Sequence, residues 1–281
     1  MNAFFLYRLK AIRGNQSPLF GQDISRREFV DTLLKSKPSQ ELRSGYIWHI
    51  GNVEDIGENG IIFAAGRTTI TSQEKYDENT RDFIEVDDEQ SPFTYVVYDK
   101  NLSVLAITPK SKLAPTTKGI ARNIERLLNA DSYTRENEIR IEIKEIPDPE
   151  GFIDQIHAAY AVVGFKMEFG EPNPFDVEKD FHKPMESLLS ESGGEKGATS
   201  ISGDDLERDV LETLSRSVAS VGNDASARIR KNEGDRPITK HMKGDPATFL
   251  VDEFGVPEQA ADIFIKLRNT YRRIRRALDD D

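Results

Sequence analysis

Glu142-Ile143-Lys144 is the stretch whose residue types and spacing come nearest to catalytic chemistry. An acid and a lysine two apart on a strand point to the same side. With an acid from a neighbouring strand, such as Asp99 at the end of another apolar run, the pair can hold a divalent cation. The lysine then sits beside the attacking water, as a metal-dependent nuclease requires. Any amphipathic strand of mixed charge also yields E-x-K, and a solvated strand face is the plainer explanation. No catalytic residue is therefore expected, and Asp99, Glu142 and Lys144 form the set that a nuclease would use.

A second cluster lies near the C-terminus. Lys266, Arg268, Arg272, Arg273, Arg275 and Arg276 share a segment whose apolar residues Ile263, Leu267, Ile274 and Ala277 recur at helical spacing. That pattern predicts an amphipathic helix from Val256 to Leu278, followed by three aspartates. Its arginines suit phosphate neutralisation, with the steep salt dependence that implies. Its apolar stripe equally suits a protein partner or a second copy of the chain, and an ordinary helix packed on its own body accounts for the same residues. In Glu171-Pro172-Asn173-Pro174-Phe175, Asn173 caps a following helix with Pro174 at its first position. This corner either presents Asn173 to a ligand or serves only as a tight connection. Thr71 to Pro92, with Glu85, Asp87, Asp88 and Glu89 close together, lacks the glycine-punctuated spacing of a calcium loop. It is expected to be a solvated loop.

Other chemistries are excluded or unsupported. The chain has no cysteine, which removes disulfides, thiolate metal sites and a cysteine nucleophile. Its 4 histidines (His49, His157, His182 and His241) are dispersed. Neither a G-x-x-x-x-G-K-[ST] nor a G-x-G-x-x-G follows a strand, and H-E-x-x-H and G-x-S-x-G are absent. No metal or cofactor is expected. The formal net charge is −11, so affinity for nucleic acid would need a local basic patch. No apolar run is long enough to span a membrane and the N-terminus lacks a signal-peptide pattern, so a cytoplasmic location is expected.

The elements that must position these residues are legible as periodicity. Strands are predicted at Ala3–Ile12, Gly45–Val53, Ile61–Gly66, Phe93–Asp99, Leu102–Thr108, Glu138–Ile146, Val163–Phe169, Ala198–Ser202 and Ala225–Lys231. Helices are predicted after Ser25, from Thr116 to Asn129, near Pro149–Ala159, after Pro174 and from Leu206 to Val221. Lys231–Pro246 reads as a polar connector. The expected class is α+β, a mostly antiparallel sheet with helices packed on one face and a long C-terminal helix. Three parts are expected: a hairpin-rich N-terminal subdomain (1–135), a strand–helix alternating subdomain (136–235), and a connector with the basic helix (236–281).

The order of several short motifs resembles an uncharacterised bacterial family, a domain of unknown function associated with mobile-element and phage-defence loci. The motifs are Gly45-Tyr46-Ile47, Tyr98-Asp99-Lys100, the Leu113–Leu128 segment, Ile146-Pro147, Pro172-Asn173-Pro174 and Gly222-Asn223. The similarity covers roughly residues 3–235 and leaves the helix from Val256 outside it. The resemblance implies a setting and carries no catalytic residue with it. The expected function is a non-enzymatic binding or scaffold subunit of an anti-phage defence or toxin-type assembly. Its partner would be a protein, a second copy through the C-terminal helix, or nucleic acid, and the alternative is a metal-dependent nuclease of the same kind of system.

Overall fold

The computed structural model describes residues 2–13, 25–170, 189, 191–192, 194, 196–251 and 259–275. The chain runs β1 (Asn2–Arg13), α1 (Arg26–Lys35), β2 (Ser39–Arg43), β3 (Tyr46–Ile56), β4 (Gly60–Asp77), β5 (Asp82–Gln90), β6 (Phe93–Asp99) and β7 (Val104–Ile107). It continues with α2 (Thr117–Ala130), α3 (Ser132–Glu136), β8 (Ile139–Glu145), α4 (Glu150–His157), β9 (Ala161–Gly170) and β10 (Lys196–Ser202). The remainder is α5 (Arg208–Ser220), β11 (Ala225–Arg230), β12 (Ile238–His241), β13 (Thr248–Val251) and α6 (Ala260–Arg275).

The class is α+β, with strands in antiparallel sheets, as the periodicity predicts. A 9-stranded sheet has the order β13-β1-β7-β6-β4-β3-β2, with β8 also beside β1 and β5 beside β4. A 4-stranded sheet has the order β10-β9-β11-β12. The centre of the large sheet is buried on both sides, which explains why β6 and β7 read as continuous apolar runs. On one side Tyr7, Leu9, Phe63, Val96 and Leu105 pack with Phe29 and Leu33 of α1 and with Ile120, Ile124 and Leu127 of α2. On the other, Phe4, Leu6, Val97 and Val104 share a core with α4, α5, α6 and the small sheet. β8 and β13 come from beyond residue 135 and pair with β1, so that sequence division falls within one sheet.

Local chemistry explains the element ends. Ser25 and Glu28 form a reciprocal capping box on α1. The Thr116 hydroxyl accepts from the Gly119 N–H at the start of α2. The turn between β6 and β7 is longer than the gap between the strands predicted at Phe93–Asp99 and Leu102–Thr108, because β7 starts only at Val104. Asp99 Oδ1 accepts from the N–H groups of Asn101 (2.8 Å) and Leu102 (2.9 Å), and Ser103 has φ 52.

Three expectations need correction. Thr71–Pro92 is not a loop: β4 continues to Asp77 and pairs with β5 from Thr69↔Gln90 to Asp77↔Asp82. Most of the described side chains of this ribbon beyond Thr69 are exposed, so backbone pairing forms strands that the side chains do not advertise. Lys231–Pro246 is not a featureless connector, because β12 lies within it and completes the small sheet. Helices are not confined to one face either: α1 and α2 pack on one side of the large sheet, and α4, α5 and α6 on the other. Ile263, Leu267, Tyr271 and Ile274 are all fully buried in the shared core. The Asn173 corner lies outside the described residues. Among the described residues, no helix is long and apolar enough to cross a membrane.

Two buried polar contacts fix α6 on the sheet. Asp99, 0% exposed, accepts from Arg268 Nε at 2.5 Å. Arg8, 1% exposed at the centre of β1, donates to Leu102 O (2.5 Å) and to the Tyr271 hydroxyl (2.8 Å). Tyr271 in turn donates to Ser220 O of α5. Removing one member of a buried pair strands the other. Arg268→Met, which leaves Asp99 charged and inaccessible, is expected to lower the unfolding free energy by about 3–5 kcal/mol. Asp99→Asn is expected to cost less, because Arg268 is 26% exposed and can be hydrated. Urea denaturation of both variants checks the order.

Candidate binding cleft

A cleft of about 990 Å³ opens along the outer side of β8. α2 supplies Lys118, Ala121, Arg122 and Glu125 to its wall, and β8 supplies Ile143, Lys144 and Glu145. The small sheet adds Glu168, Phe169, Lys196 and Gly197, the turn after α5 adds Gly222 and Asn223, and the loop after β12 adds Lys243 and Gly244.

These side chains are placed by local rules. Ile120, Ile124, Leu127 and Leu128 of α2 face the core, which turns Lys118 and Arg122 outward. β8 pairs with β1 alone, and its free edge would invite another strand. α2 answers part of that edge. Asn129 accepts from Ile141 N–H (2.8 Å) and donates to Ile141 O (2.7 Å), while Glu125 accepts from Ile143 N–H at 2.6 Å. Gly222 ends α5 at φ 73, where an added Cβ would lie 2.9 Å from Lys144 Cβ. Glycine therefore permits both the left-handed turn and the close approach to β8. Gly197 leaves the space that the Phe169 ring occupies, since a Cβ there would meet the ring at 2.3 Å.

The cleft is cationic in an acidic chain. Five cations, Lys118, Arg122, Lys144, Lys196 and Lys243, face three carboxylates, Glu125, Glu145 and Glu168. Lys144 pairs with Glu142 (3.3 Å) and donates to Asn223 Oδ1 (3.3 Å). Lys243 reaches Asp224 at 3.6 Å and Glu168 at 3.7 Å. Lys118, Arg122 and Lys196 have no ion pair among the described residues. Burial raises the Glu125 carboxyl above the usual glutamate range, the Ile143 N–H opposes that shift, and the charge of Glu142 adds to it. Burial also raises the Tyr7 phenol, which donates to the Thr117 hydroxyl at 2.8 Å.

The proposed nuclease set does not converge. Glu142 and Lys144 share the side of β8 opposite Ile141 and Ile143, and they bond to one another. Asp99 stands on the same row of the sheet, but β1 and β7 intervene through Lys144↔Arg8, Arg8↔Val104 and Val104↔Asp99. Its carboxylate is taken up by Arg268 and two backbone N–H groups, so it cannot join Glu142 at a metal. Among the described residues no group of three His, Asp or Glu could hold a metal ion.

The basic helix is only partly committed within the chain. Arg268 holds Asp99, Arg273 holds Asp148 at 2.7 Å, and Lys266 donates to Leu250 O at 3.0 Å. Arg272 is exposed, Arg275 is half-buried, and Arg276 lies outside the described residues. The cleft cations are scattered along the chain, which hides them from any search for a run of charge. Their one sequence signal is the placing of Lys118 and Arg122 off the apolar stripe of α2.

No family model matches the chain, and no curated protein matches it.

Glu125 makes the cleft wall sensitive to pH. Its folded pKa lies above the unfolded value of about 4.3, so folding takes up a proton between the two. Its contribution to stability is therefore greatest at or below the unfolded pKa and declines as pH rises through the folded one. Glu125→Gln, which keeps an acceptor for Ile143, is expected to remove that decline. Urea midpoints of the native and variant chains between about pH 4 and pH 7 measure it.

Proposed function

We propose that the chain is a non-enzymatic binding subunit of a bacterial anti-phage defence or toxin-type assembly. It acts in the cytoplasm and engages nucleic acid through the cleft beside β8. The observation that carries the ligand class is the grouping of Lys118, Arg122 and Lys196, without ion pairs among the described residues, around one concavity. The whole chain carries −11, so such a grouping is the local exception on which binding to a polyanion depends. Phosphates entering there would replace mutual repulsion by attraction and release their counterions. Ile143 and Phe169 supply apolar wall beside the cations. The assembly setting rests on the resemblance across residues 3–235, and the lack of a catalytic role rests on the diversion of Asp99 to Arg268.

Fluorescence anisotropy with a labelled single strand of about 20 nucleotides tests this. Contacts to three phosphates would weaken binding about twentyfold between about 50 and 200 mM salt. The triple variant Lys118→Glu/Arg122→Glu/Lys196→Glu is expected to lose binding, whereas Arg272→Glu on α6 is expected to retain it. Absence of binding at low salt, or binding undiminished in the triple variant, would overturn the proposal.

A further inference from the structure

The β4–β5 ribbon leaves the body of the protein. β4 pairs with β6 only as far as Gly66, and from Thr69 to Asp77 its partner is β5. This length of strand spans about 30 Å. An isolated pair of strands is marginally stable in water and gains from a covering surface.

One face of the ribbon has an unusual make-up. Ile70, Ser72, Glu74 and Tyr76 stand opposite Glu89, Asp87, Glu85 and Phe83 in register. Ile70 is 70%, Tyr76 51% and Phe83 83% exposed, and the two rings lie 5.2 Å apart. Glu74, Glu85, Asp87 and Glu89 are exposed on the same face, with no cation among them. Glu74 sits directly across from Glu85, an arrangement that costs stability unless a cation answers it. Its occupant must therefore be cationic and have apolar wall. Two such faces cannot cover one another, because the carboxylates would repel. The cleft of this same chain has that character, with five cations against three carboxylates and with Ile143 and Phe169 beside them.

We propose that the acidic face of the β4–β5 ribbon docks in the basic cleft of a second copy, so that two chains exchange ribbons reciprocally. Exchange closes the pair, since each copy offers one ribbon and one cleft. The net repulsion between acidic chains is screened beyond about 8–10 Å at physiological salt, whereas the ribbon–cleft contact is direct. A ribbon in the cleft also excludes nucleic acid, so self-association and binding compete. The proposal rests on the charge of the cleft and does not require that nucleic acid be its ligand.

Sedimentation velocity of the full chain without nucleic acid tests it. A dimer that dissociates as salt is raised is expected. A ribbon variant, Glu74→Lys/Glu85→Lys/Asp87→Lys, and a cleft variant, Lys118→Glu/Arg122→Glu/Lys196→Glu, should each be monomeric. Mixed together they should re-form a dimer, because each then meets its opposite charge. That rescue also shows that both variants are folded. A chain that is monomeric at every concentration would overturn the proposal, as would a dimer that survives both variants or a mixture that fails to associate. A monomer that still binds the labelled single strand would defeat the ribbon exchange and leave the nucleic-acid cleft standing. A salt-sensitive, rescued dimer that binds no strand would do the reverse.

Discussion

A buried carboxylate has to be answered, and much of this structure follows from the answer to Asp99. An unpaired charge in a protein interior costs several kcal/mol. Asp99 meets two backbone N–H groups from its own turn and Arg268 from a helix 169 residues further along the chain. Two strands away in the sheet, Arg8 is buried at the centre of β1 and bonds to the hydroxyl of Tyr271, one helical turn beyond Arg268. Together these contacts fix the rotation of α6 and seat Ile263, Leu267 and Ile274 in the core. They also divert Arg268 from any outside ligand, so the buried pair that stabilises the body changes the meaning of the most basic segment of the chain.

Charge left on the surface is then divided unevenly. Cations gather where α2, β8, the small sheet and the turn at Gly222 meet, and carboxylates gather on the β4–β5 ribbon. The cleft exists because the edge of β8 is guarded by side chains and not by another strand. Asn129 and Glu125 bond to its outward backbone groups and leave its wall open. Gly222 draws the end of α5 close to β8, which brings Asn223 within reach of Lys144. Backbone geometry, edge protection and electrostatics thus act at one place.

Much of the framework was legible in the sequence because buried faces impose periodicity. Strict alternation in Ile139, Ile141 and Ile143 marked β8 and the side on which Glu142 and Lys144 stand. Thr116 and Gly222-Asn223 marked helix ends through capping and left-handed turns. The ribbon escaped because most of its described side chains are exposed, so its residues follow no apolar pattern. The cleft was illegible for another reason. Lys118, Lys144, Lys196 and Lys243 are far apart in sequence and are brought together only by tertiary packing. The C-terminal arginines misled in the opposite sense, since a run of like charge says nothing about which members are bonded inward. Arg268 and Arg273 find Asp99 and Asp148, neither of which is near them in sequence.

The central claim is that the ligand-facing surface is the cleft beside β8 and not the basic helix. Photocrosslinking a thiothymidine-containing single strand to the full chain, followed by peptide mass spectrometry, tests it most directly. Adducts are expected on peptides carrying Lys118 and Arg122, Lys144, and Lys196 to Ala198. Adducts confined to Lys266 through Arg275, with the cleft peptides unmodified, would contradict it.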